Sequence, residues 1–412
     1  MGVRRGLGSW MRAVAGVLDL VARPVRTAQG RDGIVIQPYR GYGSRREAFV
    51  IGRVFRQSTP HPDPRRERIA RHLRDIARRI ARRSVAGARV TARLYGTEHT
   101  VATDRDGYFR LQIPLRDAPP SDRDWHALHI RLEAEPPVSA RGAVYIPPDR
   151  ARFVVISDID DTIVHTGVAN TLRMLWRLFV EDAASRTAFP GVAPLYRALH
   201  AGATGDQGNP LLYVSRAPWG LYDVLDKFFH MHGVPVGPIM FLREWGLSWR
   251  RPFPRRAEDH KQALIRHMLD LYDDLPFILI GDSGQHDPEV YRQIVEEHPG
   301  RVLAVLIRNV SKGGGREREI EELAAAVTRA GSRMLLAADS AAMAEEAERL
   351  NVVPPGTLSA VRGELAGDGG GTAPSAGVVS ASELRDVLEQ GTHPVPPNVL
   401  VEGGDATARR RL

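Results

Sequence analysis

The chain has no cysteine, and this absence removes several kinds of chemistry. Among 412 residues there is no group that could form a disulfide, a thiolate metal site or a cysteine nucleophile. Nor is there a run of about 18 uncharged apolar residues, so we expect no transmembrane helix. Arg4 and Arg5 precede an apolar stretch, but Arg12 and Asp19 interrupt it, which argues against a secretory signal.

Lysine is almost absent as well. Only Lys227, Lys261 and Lys312 occur among 57 lysine and arginine residues, so arginine carries nearly all the positive charge. A lysine that persists in such a chain suggests a position that needs a compact ammonium rather than a broad planar guanidinium. The alternative is that one of three residual lysines stands at such a position by accident.

Positive charge is concentrated in the first fifth of the chain. The formal net charge is +8, whereas residues 1–85 hold 20 arginines and 6 acidic residues, a local balance of +14 that leaves −6 elsewhere. Such a segment suits an anionic membrane surface or nucleic acid. Its arginines are not interleaved with stacking aromatic residues, which argues against nucleic acid. We therefore expect a cytoplasmic protein, peripheral on the membrane.

Two basic amphipathic segments precede or interrupt the first domain. Residues 1–30 contain a predicted helix at 8–24, whose apolar face is suited either to a membrane interface or to packing on its own domain. A second helix is predicted at about 65–83. We favour a solvated helix laid over the neighbouring sheet there, with a lipid-binding surface as the alternative.

The remainder of residues 31–150 has the pattern of a β-sandwich. Short alternating strands recur at near-regular spacing between turns, as at Arg89–Tyr95 and Ala127–Leu132. Asp104 and Asp106 lie in one of these turns. No glutamate closes a twelve-residue calcium loop after them, so we interpret them as ordinary turn residues.

The pattern changes near residue 151, where short apolar runs begin to alternate with segments of helical periodicity. Continuous apolar strands of this kind predict a parallel sheet buried on both faces, in an α/β domain at 151–311. Residues 312–412 are predicted to form a helical and low-complexity C-terminal tail. The predicted strands are Phe153–Ser157, Leu211–Ser215, Ile239–Leu242, Phe277–Gly281 and Val302–Ile307.

Residues suited to chemistry follow three of these strands. Asp158 and Asp160 come after the first, Ser215 ends the second, and Asp282 and Asp287 follow the fourth. Lys261 stands in the helical segment before that fourth strand. Ligands of open α/β sheets bind at the carboxyl ends of the strands, so these groups are expected to meet at one edge.

The chemistry of that group favours phosphoryl transfer. Several carboxylates placed together repel one another unless a hard cation such as Mg²⁺ joins them. A lysine and a serine hydroxyl then suit phosphate oxygens. A carboxylate can act as the nucleophile that forms an aspartyl-phosphate, and a second carboxylate two residues later can act as the general acid and base.

The order of these elements resembles the four-part signature of the haloacid dehalogenase superfamily, a Rossmann-like fold. The motifs at 158–167, 189–192, 213–219 and 281–289 resemble more narrowly the actin-patch-associated phosphatidate phosphatases, relatives of the lipin catalytic domain. The resemblance covers about residues 151–310. It implies Mg²⁺-dependent hydrolysis of phosphatidate to diacylglycerol.

The same resemblance implies residue roles. Asp158 would be the nucleophile and Asp160 the acid and base, with Ser215 and Lys261 holding the phosphate. Asp158, Asp160 through its carbonyl, and Asp282 would bind Mg²⁺, and Asp287 is a further candidate ligand. The substrate-binding candidates are Thr162 in the first motif and Arg243 in an aromatic and basic segment.

Three alternatives stay open at this stage. The insertion at 167–199 is either a helix buried in the domain or an apolar lip that meets acyl chains. The substrate could instead be a small soluble phosphoester. The chain could also be a non-enzymatic lipid-binding module, although the presence of both Asp158 and Asp160 argues against that interpretation.

Overall fold

The computed structural model describes residues 33–56, 83–159, 162–163, 189–216, 219, 222–242, 257–310 and 316–366. Within these ranges the protein is an α/β structure with two sheets, one mixed and one parallel. The predicted helices at 8–24 and 65–83 and most of the insertion at 167–199 lie outside the described residues. None of the described helices is long and apolar enough to cross a bilayer.

The mixed sheet comprises the first nine strands in the order β1-β3-β2-β9-β8-β5-β6, with β4 and β7 also paired to β3. All its pairs are antiparallel except β2 with β9. The strands are β1 Ile34–Pro38, β2 Gly41–Gly43, β3 Glu47–Arg56, β4 Arg83–Ser84, β5 Arg89–Leu94, β6 Thr97–Ala102, β7 Tyr108–Pro114, β8 Trp125–Leu132 and β9 Val138–Tyr145.

Alternation along these strands explains the core of this sheet. In β7, for example, Phe109, Leu111 and Ile113 are buried while the intervening side chains are exposed, as a period of two requires. The turn before it is held by Asp104, whose Oδ1 accepts from the backbone N–H groups of Asp106 and Tyr108 at 3.0 and 2.8 Å. The interpretation of Asp104 as a turn residue is confirmed. A two-sheet sandwich stays a prediction.

The parallel sheet follows, and helices connect its strands. Its strands are β10 Val154–Asp158, β11 Leu211–Ser215, β12 Ile239–Phe241, β13 Phe277–Asp282, β14 Val302–Arg308 and β15 Met334–Ala337. The helices are α1 Val192–Ala201, α2 Tyr222–His232, α3 Ala257–Leu271, α4 Asp287–Glu297, α5 Glu317–Arg329, α6 Ser340–Arg349 and α7 Thr357–Leu365.

The strand order of the parallel sheet is β12-β11-β10-β13-β14-β15. Counted from its first strand this is 3-2-1-4-5-6, the order of a doubly wound sheet, which reverses between β10 and β13. Two separate apolar clusters contain alternate residues of β10, Val155 in one and Val154 and Ile156 in the other. The sheet is therefore buried on both faces, as its continuous apolar strands predict.

The described structure extends the parallel sheet beyond the boundary that the sequence suggested at 311. Strand β15 pairs in parallel with β14, and α6 and α7 bury Met343 and Val361 in the cluster that covers one face of the sheet. Helices α5 and α6 lie within the segment at 312–412 that the sequence predicts to be partly helical. The described residues 316–366 thus pack against the same parallel sheet.

Candidate active site

The register of the parallel sheet brings the predicted site residues to one edge. Asp158, the last residue of β10, pairs with Val214, so Ser215 lies one step further on β11. On the other side Ser157 pairs with Ile280, which places Asp282 near the same level at the end of β13. These are carboxyl ends of strands on both sides of the switch point, where ligands bind in such sheets.

Lys261 ties this edge together from helix α3. Its Nζ donates to Asp158 Oδ1 at 2.8 Å and to Asp287 Oδ1 at 2.5 Å. All three side chains are at most 3% exposed. The ammonium thus joins the end of β10 to the first residue of α4. Burial alone would lower the pKa of Lys261, but Asp158 and Asp287 outweigh it, and the pKa lies well above its usual range.

The site concentrates negative charge that one lysine does not balance. Asp158, Asp282 and Asp287 are buried, and one carboxylate oxygen from each lies within 4.8 Å of the others. Ionised carboxylates this close repel strongly in a buried site. Three buried oxygen donors around one point suit a hard divalent cation, so the residues present fit a Mg²⁺ ion.

Two further contacts separate the roles of Asp282 and Asp287. Asp282 Oδ1 accepts from the backbone N–H of Gly284 at 2.7 Å, which orients the Asp282 carboxylate. Asp287 Oδ2 accepts from the backbone N–H of Asp282 at 3.3 Å, while its Oδ1 accepts from Lys261. Both oxygens of Asp287 therefore hold other parts of the site, so Asp287 positions Asp282 and Lys261 in addition to its place in the group of three carboxylates.

The structure describes two of the four remaining predicted site residues, Ser215 and Thr162. Ser215 and Thr162 are fully buried at this edge, and Thr162 Oγ1 has no hydrogen-bond partner among the described residues. A buried hydroxyl without a partner is costly, so it suits contact with a polar ligand. Asp160 and Arg243 lie outside the described residues, and their predicted roles stay predictions.

The sequence analysis did not select the serine and tyrosine side chains that hold the strand ends around Asp158 in place. Ser157 Oγ donates to the backbone carbonyl of Asp158 at 2.8 Å and is 2.6 Å from the hydroxyl of Tyr196 on α1. The hydroxyl of Tyr291 on α4 donates to the backbone carbonyl of Ile280 at 3.1 Å, and the centroid of its ring lies 5.5 Å from Lys261 Nζ. Both tyrosines look like ordinary helix core residues in the sequence, so no pattern singled them out.

Gly281 is another residue that the sequence analysis did not select. A Cβ added there would come 2.3 Å from Asp287 Oδ2 and 2.8 Å from Asp287 Cβ. Asp287 can therefore approach the end of β13 only because residue 281 has no side chain. A glycine at the end of an otherwise apolar strand is the signal that could have indicated this close approach.

We expect Gly281→Ala to lower kcat for the phosphoryl-transfer reaction that the sequence predicts by at least about tenfold. The added methyl group must displace the Asp287 carboxylate, and an ångström-scale displacement in a site can cost up to about 10²-fold in rate. The matched control is Gly363→Ala in α7, where an added Cβ meets nothing within 4 Å. Steady-state kinetics and melting temperatures of both variants check the prediction. Wild-type kinetics in Gly281→Ala would contradict it.

A known protein family matches the part of the chain that contains these site residues. Residues 153–309 match the family model described as the catalytic domain of phosphatidate phosphatase APP1. This segment is therefore similar to the APP1 catalytic-domain family. The match spans β10 to β14 and includes Asp158, Ser215, Lys261 and Asp282, so the predicted resemblance is confirmed.

Two fungal proteins are similar to this chain. Phosphatidate phosphatase APP1 of Saccharomyces cerevisiae is 35% identical over 180 residues, which is 43% of this chain and 29% of that protein. An uncharacterized protein of Schizosaccharomyces pombe is 27% identical over 217 residues, 52% of this chain and 35% of that one. The matched regions thus span about a third of the length of these curated relatives.

The similarity of this chain to solved structures is distant. A carbohydrate acetylesterase from Xanthomonas citri covers 72% of this chain and 66% of its own, with 12% identity and a TM-score of 0.25. At that distance the similarity carries no argument about fold or function. The APP1 catalytic domain match therefore rests on sequence.

Proposed function

We propose that this protein is a Mg²⁺-dependent phosphatidate phosphatase that releases diacylglycerol and phosphate through an aspartyl-phosphate on Asp158. Its catalytic domain would be of the haloacid dehalogenase type, preceded by a β-sandwich domain. The observation that carries the proposal is the buried group of Asp158, Asp282, Asp287 and Lys261 inside the APP1 catalytic match. The name of the yeast relative supports phosphatidate as the substrate.

Mg²⁺ is proposed as the cofactor because the donor set is all oxygen. Asp158 and Asp282 would hold the ion together with the backbone carbonyl of Asp160, and Asp287 is placed to orient Asp282 and Lys261. When bound, the ion supplies positive charge that offsets the carboxylates and the phosphate. A lysine cannot replace it, since one ammonium leaves the group of three carboxylates net negative.

In the first proposed step, a carboxylate oxygen of Asp158 attacks the phosphorus of phosphatidate. The bond from phosphorus to the glycerol oxygen breaks as the new bond to Asp158 forms. The departing diacylglycerol oxygen takes a proton from the carboxylic acid of Asp160, two residues along the chain. The hydrogen bond from Lys261 to Asp158 Oδ1 fixes the plane of the attacking carboxylate.

In the second step, Asp160 as a carboxylate accepts a proton from water, and the resulting hydroxide attacks the phosphorus of the aspartyl-phosphate. The bond to Asp158 breaks, inorganic phosphate leaves, and both aspartates return to their starting states. Ser215 and Thr162 are proposed to hold phosphate oxygens during both steps, because both hydroxyls are buried at this edge. Arg243 is proposed as a further contact to the substrate.

Phosphatidate is a membrane lipid, so we also propose a peripheral location on an anionic, cytoplasmic surface. The support is the local balance of +14 in residues 1–85 and the amphipathic pattern at 8–24. Electrostatic attraction to anionic lipids and shallow insertion of an amphipathic helix would contribute separately to membrane binding. Stable peripheral binding requires two such contributions.

Deletion of residues 1–28 is expected to weaken binding to anionic liposomes, and raised salt is expected to weaken it further. Each basic residue near an anionic surface contributes on the order of 1 kcal/mol, and salt screens it within about a Debye length. Activity on a short-chain, soluble phosphatidate should survive, because every proposed catalytic group lies after residue 150. Co-sedimentation of both proteins, beside their soluble rates, checks this. Equal sedimentation would contradict the membrane role.

The proposed substrate is tested by comparing phosphatidate in mixed micelles with soluble phosphomonoesters at matched concentrations. The proposal expects kcat/KM to be at least about tenfold higher for phosphatidate, with diacylglycerol and phosphate released in equal amounts. Preference for a soluble phosphoester would favour the alternative haloacid dehalogenase-type phosphatase. Binding of phosphatidate without any phosphate release would favour a non-enzymatic lipid-binding module.

A further inference from the structure

The β domain contacts the parallel sheet beside the segment that follows Ser215. Tyr39 lies between β1 and β2, and its ring stacks on Trp219 with centroids 4.5 Å apart and planes at 20°. Trp219 comes four residues after Ser215. The ring of Tyr39 also lies 4.6 Å from that of Tyr222, the first residue of α2. An aromatic side chain of one domain thus covers the phosphate-site segment of the other.

Trp219 connects this contact to Ser215 itself. On its other side its ring lies 4.5 Å from Phe241 at the end of β12. Phe241 is the residue that pairs with Ser215 across the two strands. Trp219 is 4% exposed and Phe241 is fully buried. Because these side chains are tightly packed, a displacement of Tyr39 would shift Trp219 and Phe241, and with them the end of β11 that carries the Ser215 hydroxyl.

Arg40 adds a buried polar contact next to this stack. Its guanidinium forms an ion pair with Asp226 on α2, and its backbone N–H donates to the hydroxyl of Tyr222 at 3.0 Å. The Arg40 side chain is 9% exposed. Burial alone would lower the pKa of Arg40, but Tyr222 and Asp226 outweigh it and raise the pKa, so the guanidinium stays charged. Such a pair fixes geometry more than it adds stability.

We propose that Tyr39 and Arg40 are positioning residues for the phosphate site. Tyr39 acts through Trp219 and Phe241, and Arg40 acts through Tyr222, whose ring lies 6.5 Å from that of Phe241. Both contacts place Ser215, so the β domain takes part in positioning the site. This inference rests on the proposed function, because it takes Ser215 as a phosphate ligand.

A second contact between the same domains provides a matched control. Arg46 forms an ion pair with Asp273, which follows the C-terminal end of α3, and both side chains are more than half exposed. Asp273 stands 12 residues beyond Lys261. Arg46→Gln therefore removes an arginine from the same domain boundary but leaves the contacts of Tyr39, Trp219 and Phe241 next to Ser215 in place.

The test measures the dissociation constant of inorganic phosphate in the presence of Mg²⁺, by phosphorus NMR titration, in a double-mutant cycle. Arg40→Gln is expected to weaken binding about 5- to 10-fold, whereas in a Ser215→Ala background the same change has little further effect. Arg40→Lys should recover part of the affinity, and Arg46→Gln should bind as the wild type does. If Arg40→Gln does not fold, Tyr39→Leu is expected to show the same dependence on Ser215.

Three outcomes would overturn the inference: unchanged affinity in Arg40→Gln and Tyr39→Leu, an equal loss in Arg46→Gln, or equal losses with and without Ser215. The last two would mean that the β domain merely supports the fold. These results are distinct from a failure of the proposed function. In that case the wild-type protein itself would neither bind phosphate nor release it from a phosphoester.

Discussion

Asp158→Asn is expected to lower kcat for phosphatidate hydrolysis by about 10⁴-fold or more, the scale seen when a covalent nucleophile is removed. A neutral amide cannot form the aspartyl-phosphate. It also weakens the group of three buried carboxylates and leaves Lys261 with one hydrogen-bonded carboxylate instead of two. The measurement is phosphate release under saturating substrate.

A second readout separates loss of the nucleophile from loss of the fold. Wild-type protein quenched with acid during turnover of labelled phosphatidate should retain protein-bound phosphate, and Asp158→Asn should retain none. Circular dichroism and the melting temperature should show that the variant is folded. Near-normal turnover in a folded Asp158→Asn protein would remove Asp158 as the nucleophile.

Lys261→Arg is expected to lower kcat by about 10²- to 10³-fold, although the charge is kept. Loss of one preorganised charged or polar contact to a developing anion has a cost of this size. Lys261 Nζ meets two carboxylates at 2.8 and 2.5 Å in a site where the side chain is 3% exposed. The larger planar guanidinium must displace Asp158 or Asp287 from these positions, because a packed interior has no room for it.

Lys227→Arg in α2 is the matched control, since it makes the same chemical change at another of the three lysines. It is expected to leave kcat within about twofold, as conservative substitutions outside a site usually change little. The comparison checks the interpretation of the lysine scarcity directly. Wild-type kinetics in Lys261→Arg would show that the position tolerates either cation and that the scarcity carries no information about this site.

The sequence allowed the parallel sheet to be predicted well because its strands are buried on both faces. Five apolar runs correspond to β10 to β14 within one residue at each end, and the turn residues after them mark the carboxyl ends. The site followed from the same argument, since strand ends converge in this class of fold. The positions of Asp158, Ser215 and Asp282 at strand ends therefore follow from the sequence pattern alone.

The contacts between elements could not be predicted in this way. That Lys261 bonds both Asp158 and Asp287 depends on how α3 and α4 pack, and nothing in their periodicity specifies it. Strand β15 was missed because Met334–Ala337 is short and only partly buried, at the edge of the sheet. The stack of Tyr39 on Trp219 joins residues 180 positions apart, beyond the reach of any local pattern.

The most direct test of the central claim is phosphate release from phosphatidate micelles by the purified wild-type chain, with Mg²⁺ and after removal of divalent cations by EDTA. The account predicts release with Mg²⁺, less than about 1% of that rate with EDTA, and recovery when Mg²⁺ is returned, because buried carboxylates need the cation to accept a phosphate. A rate that EDTA leaves unchanged would contradict the metal site. No release from phosphatidate under either condition would contradict the proposed activity.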